Sequence, residues 1–266
     1  VIVELTWEED VVQCGRNGSG DNWPLAWIED DLCITAWGDG PGFEGPTARE
    51  ARLSLGFARI YGDPPGSRGE DFATNVDTPE GRGSSGIKAS GLLMVDGVLY
   101  LFVRNYKPPG SDDFTNARLA WSRDRGAHWE WADWHFADTF GCPEFVQFGE
   151  NYEGARDDYV YIASQANDSA YGYSPDIVMA RVPKERVADR RAYEFFAGFE
   201  ESGRPAWSSE IGRRAPIFTD PQGTQRIAIT YNAGFGRYIL TTSHLPPGVE
   251  ATHTAALGVF DGPEPW

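Results

Sequence analysis

The feature that most constrains this chain is a recurring pair of short apolar runs folded about a turn dipeptide. Leu92–Val95, Asp96-Gly97 and Val98–Val103 are the clearest case. Asp-Gly favours the two left-handed conformations of a type I′ turn, so this segment reads as a tight β-hairpin. "LAWIEDDLCITAW" reads the same way about Glu29–Asp31. "DDYVYIAS" with "DIVMARV" forms a third pair, and "RIAITYNAGFGRYILTTSH" a fourth, turning at Gly234–Gly236. Helical periodicity is scarce, and the best helix candidate is Pro183–Phe196. Hairpins beginning near residues 25, 91, 143 and 215, with Gly/Pro/Asp-rich turns, predict an all-β sandwich, barrel or propeller.

One motif selects among these. Ser122, Asp124, Gly126 and Trp129 fill every position of S-x-D-x-G-x-x-W. This is the Asp-box, a turn between two outer strands of a propeller blade. Ser and Asp close it by hydrogen bonds, Gly takes the awkward dihedrals, and Trp packs between neighbouring sheets. Its role is structural. At roughly 50 residues per four-stranded blade, the 266 residues predict about five blades. No segment has linker composition, so residues 1–266 are read as a single domain: a five-bladed β-propeller with one Asp-box turn.

Charge and composition narrow the function. Forty acidic residues stand against 23 basic ones, for a formal net charge of −17. Nucleic acids and anionic membranes need clustered positive charge, so neither is expected as a partner. No apolar run reaches the ~20 residues of a membrane-spanning helix, and Val1 opens no secretory pattern. There is no Walker loop, no Rossmann fingerprint and no G-x-S-x-G elbow. Four histidines and three cysteines without a C-x-x-C leave little for a metal site, so neither metal nor cofactor is expected. Cys142 reads as a buried thiol, inert in apolar surroundings. Cys14 and Cys33 would pair only in an exported protein.

What remains is a surplus of carboxylates beside aromatics, the mix that sugar-processing sites use for proton transfer and ring stacking. Asp21 precedes the first strand of the Leu25–Trp37 hairpin and Asp39 follows the second. A hairpin returns to its starting edge, which brings both acids to one end of the sheet. Each also suits a turn: Asp21 before Trp23-Pro24, Asp39 within Gly-Asp-Gly. Further candidates for substrate contact are Trp23 as a stacking platform, Lys88 before a strand, and Arg104-Asn105 at a strand end. Glu144 after Cys142-Pro143, and Tyr231-Asn232, complete the set. Asp157-Asp158 reads as a charged turn.

The segments "SGDNWPLAW", "TAWGDGPGF", "LSLGFARI", "IKASGLLMVDGVLYLFVRN", "FGCPEFVQFG", "RDDYVYIAS", "AITYNAGFGRY" and "GVFDGPEPW" resemble a bacterial propeller family. It was long a domain of unknown function, and it includes the endo-D-arabinanases of glycoside hydrolase family 183. The resemblance implies a five-bladed propeller and glycoside hydrolysis by two N-terminal aspartates, whose spacing matches Asp21 and Asp39. It also implies a poly- or oligosaccharide substrate and a secreted or periplasmic protein. It does not fix the sugar. A polysaccharide lyase, a non-catalytic carbohydrate-binding propeller and a protein-interaction propeller remain open readings of the same residues.

Overall fold

A computed structural model describes residues 1–7, 19–43, 53–76, 85–111, 114–172, 174–244 and 256–266. Among them are seventeen strands, with helix limited to short 3-10 turns. The first sheet holds β1 (Ser19–Asp21), β2 (Leu25–Glu29), β3 (Leu32–Gly42), β4 (Gly56–Tyr61) and β5 (Arg68–Phe72). The second is a four-stranded antiparallel meander of β6 (Lys88–Val95), β7 (Val98–Tyr106), β8 (Asn116–Ser122) and β9 (Glu130–Phe136). The third begins with β10 (Glu144–Phe145), β11 (Tyr159–Gln165), β12 (Ser174–Pro183), β13 (Glu194–Phe199) and β14 (Pro205–Ser208). It continues through β15 (Pro216–Asn232), β16 (Arg237–His244) and β17 (Ala256–Gly262). The fold is all-β. A separate four-stranded unit in chain order is seen for β6–β9, whereas hydrogen bonding groups the other strands into sheets of five and eight.

The predicted hairpins form in register. Val95 pairs with Val98 across Asp96 (φ 48°) and Gly97 (φ 78°), the two left-handed residues of a type I′ turn. Every residue of β6 is buried. The period-2 alternation explains why. Leu92 and Met94 enter a core shared with β2–β4, while Leu93 and Val95 enter a second core shared with β11, β12 and β15. The second sheet is therefore packed between the other two, and a central strand apolar on both faces is the result.

The Asp-box lies where its chemistry predicts, between β8 and β9. Ser122 Oγ accepts from Gly126 N at 2.8 Å, and Asp124 Oδ1 accepts from His128 N at 2.8 Å. Gly126 has φ 86°. Trp129 is buried against Phe57 of the neighbouring sheet, centroids 5.2 Å apart. Ser122 pairs with Leu99 whereas Lys88 pairs with Arg104. The motif thus occupies the opposite end of the second sheet from the polar residues of β6 and β7.

The helix expected over Pro183–Phe196 does not form. Pro183 ends β12 opposite Tyr159. Two 3-10 turns follow, Lys184–Arg186 and Arg190–Ala192, and then β13 starts at Glu194. Asp189 adopts an extended conformation, and its side chain accepts from Arg191 N at 3.0 Å. This local bond competes with helix continuation. Tyr193, Phe195 and Phe196 are buried in the core, and the tyrosine hydroxyl donates to Val187 O at 2.7 Å. Tertiary burial overrides a weak helical propensity.

Candidate active site

Asp21 and Asp39 are brought together by β1 pairing with β3. Asp21 lies opposite Gly38 and Ser19 opposite Gly42, so β3 carries two extra residues between these pairs. Asp39 sits in this bulge with φ 53°. It is therefore inside β3, not beyond its end as the sequence suggested. A bulge re-aims a side chain, and here it sends the carboxylate to Lys88, whose Nζ donates to Asp39 Oδ1 at 2.7 Å. The same ammonium lies 3.3 Å from Ser54 Oγ. Lys88 is 1% exposed, and the Asp39 side chain 24%. Lys88 is thus a buried counter-ion at the start of β6, not a surface lysine. A Cβ on Gly38 would stand 3.3 Å from Asp21 Oδ1 and 3.2 Å from Lys88 Cδ. Asp21 and the lysine stem therefore flank a bare backbone position, with Asp39 next in sequence. Asp21 itself is exposed, and its Oδ1 accepts from Asn22 Nδ2.

The bulge is anchored by Trp37, which is fully buried and donates Nε1–H to Gly40 O at 2.9 Å. Its ring fills a slot left by three glycines. Added Cβ atoms would lie 2.9 Å from it at Gly20, and 2.5 Å at Gly42 and Gly56. Trp23 stacks on Trp37 with centroids 5.5 Å apart and also meets Phe43 at 4.9 Å. The glycine-rich "SGDNW" and "GDGPGF" segments thus build an indole cradle, and the acids ride on it.

Beside these acids opens a cavity of about 640 Å³, within the usual range for small-molecule sites. All three sheets wall it: Asn22, Trp23 and Trp27 from the first, Arg104 from the second, and Glu144, Arg226 and Tyr231 from the third. Asp21, Asp39 and Lys88 do not line it, whereas Asn22, next to Asp21 in sequence, and Arg104, paired with Lys88 across β6 and β7, do. Among the described residues, Glu144 is the one carboxylate of the wall. Its backbone comes close to β6 because residue 91 is glycine: a Cβ there would lie 3.1 Å from Glu144 Cα. Gln147 ties the segment down, donating Nε2–H to Leu92 O at 2.9 Å and bridging Thr230 of β15 through its backbone. Desolvation pushes the Glu144 carboxyl well above the usual carboxylate range, against the pull of Arg104 and Arg226.

The remaining candidates divide. Arg104 is 1% exposed, with Nη1 donating to Ala89 O. Asn105, at φ 57°, donates Nδ2–H to Gly86 O and to Tyr171 Oη, each at 3.1 Å. Tyr231 lines the cavity and packs on Phe148 and Tyr238. Asn232 does not line it; its Oδ1 accepts from Phe235 N at 3.1 Å and so closes the β15–β16 turn. Asp157 is a turn acid that holds Tyr161 Oη at 2.7 Å. Cys142 is buried and free, yet its Sγ lies 3.8 Å from Arg226 Nη1 at the cavity wall. Its surroundings are therefore cationic on one side, not apolar throughout. Cys33 is free, and Cys14 lies outside the described residues.

Trp27, Tyr171 and Arg226 were not singled out from the sequence. Trp27 had a signal: in "LAWIE" the alternation buries Ala26 and Ile28 and leaves Leu25 and Trp27 outward. Arg226 had none. It sits at a bulge of β15 with φ 53°, and its guanidinium lies 5.0 Å from the Tyr171 ring centre. Among the described residues no three His, Cys, Asp or Glu side chains gather as a metal site, and no helix is long and apolar enough to cross a membrane.

The family model for DUF4185, a domain of unknown function, matches residues 57–256. The chain belongs to the DUF4185 family. No curated protein matches it. Among solved structures, this DUF4185 chain is similar to the GH43_1 enzyme from Xanthomonas citri complexed with xylotriose, at 12% identity and TM-score 0.48 over 96% of this chain and 72% of that one. The phage phi92 endosialidase follows at 15% identity and TM-score 0.41, over 90% and 35% of the two chains. A Synechocystis apocarotenoid oxygenase mutant also matches, at 11% identity and TM-score 0.32, over 89% and 49%. Likeness at this level carries no conclusion about activity.

Proposed function

We propose that this DUF4185 protein is a glycoside hydrolase: a five-bladed propeller that cleaves a polysaccharide by a two-carboxylate mechanism, on furanoside chains like those of the endo-D-arabinanases it resembles. The observation that supports the reading is an aromatic-walled cavity with one carboxylate, Glu144, in its wall, together with Asp21 and Asp39 held as neighbours by the pairing of β1 with β3. Asp39 is paired with a buried ammonium at 2.7 Å, which fixes its carboxylate in place as a candidate base or nucleophile. Asp21 is its partner across Gly38. Glu144, held protonated to higher pH by desolvation, faces the cavity as a group able to deliver a proton to a leaving oxygen. Two-carboxylate hydrolysis needs one acid that donates a proton and one that accepts it or attacks. Trp23 and Trp27 offer apolar ring faces to pyranose or furanose rings. A polysaccharide substrate implies work outside the cytoplasm, secreted or periplasmic.

The test is incubation with a polysaccharide panel that includes arabinans, with products read by mass and by ultraviolet absorbance. Saturated oligosaccharides are expected. Asp21→Asn and Asp39→Asn should each slow their release at least ~100-fold, the lower end of acid–base contributions. Unsaturated products would replace hydrolysis with elimination. Activity retained in both Asn variants would return the two aspartates to turn formation.

A further inference from the structure

Arg104 is 1% exposed and forms part of the cavity wall. Only its Nη1 is used, on Ala89 O. Nε and Nη2 are buried and have no hydrogen-bond partner among the described residues. Those two N–H groups share one edge of the planar guanidinium, the edge that takes two oxygens of a carboxylate or sulfate at once. Leaving charged donors buried and unmet is costly, and a native fold keeps such a feature when something else meets it. Glu144, the nearest acid of the wall, makes no hydrogen bond to this fork. Arg226 stands in the same wall, fixed by Ala170 O and the Tyr171 ring. Among the described residues of this wall two guanidinium groups stand against one carboxyl, Glu144, in a chain whose net charge is −17.

We propose that the cavity takes a saccharide bearing an acidic substituent, a carboxylate or a sulfate ester, which docks side-on on Arg104 Nε and Nη2 with Arg226 as second cation. This rests on reading the cavity as a saccharide site and adds to it the class of sugar. The acidic group supplies the acceptors the fork lacks, and the carbon ring lies toward Trp23 and Trp27. Neutral chains meet the same aromatic wall without the charged anchor.

The experiment titrates the intact protein with methyl glucuronoside, methyl glucoside 6-sulfate and methyl glucoside at constant ionic strength, followed by tryptophan fluorescence and calorimetry. A charged hydrogen-bonded pair predicts at least about tenfold tighter binding of a charged probe than of the neutral one. The stronger of the two charged probes names the substituent. Arg104→Lys keeps the cation but loses the fork, and Arg104→Gln loses both; each should abolish the preference, while Arg204→Gln on the exposed surface keeps it. If the Arg104 variants fail to fold, the Arg104 Nε–H resonance of the wild-type protein should shift with the charged probes and not with the neutral one. Equal binding of the three probes, binding of none, or a preference that survives in Arg104→Gln overturns the proposal. A charge preference without cleavage of any polysaccharide sinks the hydrolase reading and spares this one. Cleavage of neutral chains with no charge preference does the reverse.

Discussion

Replacing Gly56 by alanine tests whether the Trp37 cradle holds the site. Gly56 pairs directly across from Trp37, and an added Cβ would lie 2.5 Å from its Cζ2, 2.6 Å from its Cε2 and 3.0 Å from Leu53 Cδ1. Carbon contacts are comfortable near ~3.5–4.0 Å, so the overlap is about 1 Å. The ring has nowhere to go. Gly20 and Gly42 close its other sides, its Nε1 is committed to Gly40 O, and Trp23 is stacked on it. Overpacking a tight core costs about 1–3 kcal/mol, and the boxed ring argues for the upper half of that range. In a chain of this size such a loss lowers the melting temperature by roughly 5–10 °C. The control is Gly212→Ala, where nothing stands within 4 Å of the new methyl group; about 0.5 kcal/mol or less is expected there. Urea unfolding of the three proteins measures the difference through the midpoint, with the slope unchanged. Because Asp39 follows Trp37 by two residues, near-ultraviolet circular dichroism and activity should change together with stability. If Gly56→Ala and Gly212→Ala unfold at the same urea concentration, the cradle argument is wrong.

Other outcomes follow from the same geometry. The Glu144 carboxyl is raised in the fold, so the folded state holds a proton that the unfolded chain releases, and stability falls as pH rises from the ordinary carboxylate range through the raised value. Glu144→Gln should flatten that decline and unfold at higher urea near neutral pH; an unchanged profile would mean that the carboxyl is solvated. Asp124 is depressed to about 2 by bonds from His128 and Ser122, so its contribution is fully present above the unfolded pKa and is lost as pH falls from there through the folded value. Asp124→Ala should therefore destabilise at neutral pH, less so in acid, and leave turnover unchanged, since the Asp-box lies at the far end of its sheet. Cys142 is 2% exposed, so iodoacetamide should label it in the native protein far more slowly than in urea; rapid native labelling would show that the cavity wall opens there.

Much of this protein is determined by short stretches of sequence. Asp96-Gly97 makes its turn because two adjacent residues tolerate positive φ, and no distant contact is needed. Ser122, Asp124 and Gly126 close the Asp-box through bonds that span at most four residues. The alternation of Leu92, Leu93, Met94 and Val95 specifies a strand with a core on each face. The placement of Asp21 and Asp39 was half legible in the same way: their neighbourhood was, but not the bulge that turns Asp39 toward Lys88, 49 residues away. Pro183–Phe196 misled because its helical pattern is local, while the burial of Tyr193, Phe195 and Phe196 that decides it is not. The cavity belongs wholly to the tertiary level. Arg104, Glu144 and Arg226 come from strands of two sheets far apart in sequence, and the desolvation of Glu144 and the unmet fork of Arg104 exist only once those sheets pack. Bonds within a few residues can be read from a sequence, whereas the electrostatics of a site depend on which distant groups exclude water from it.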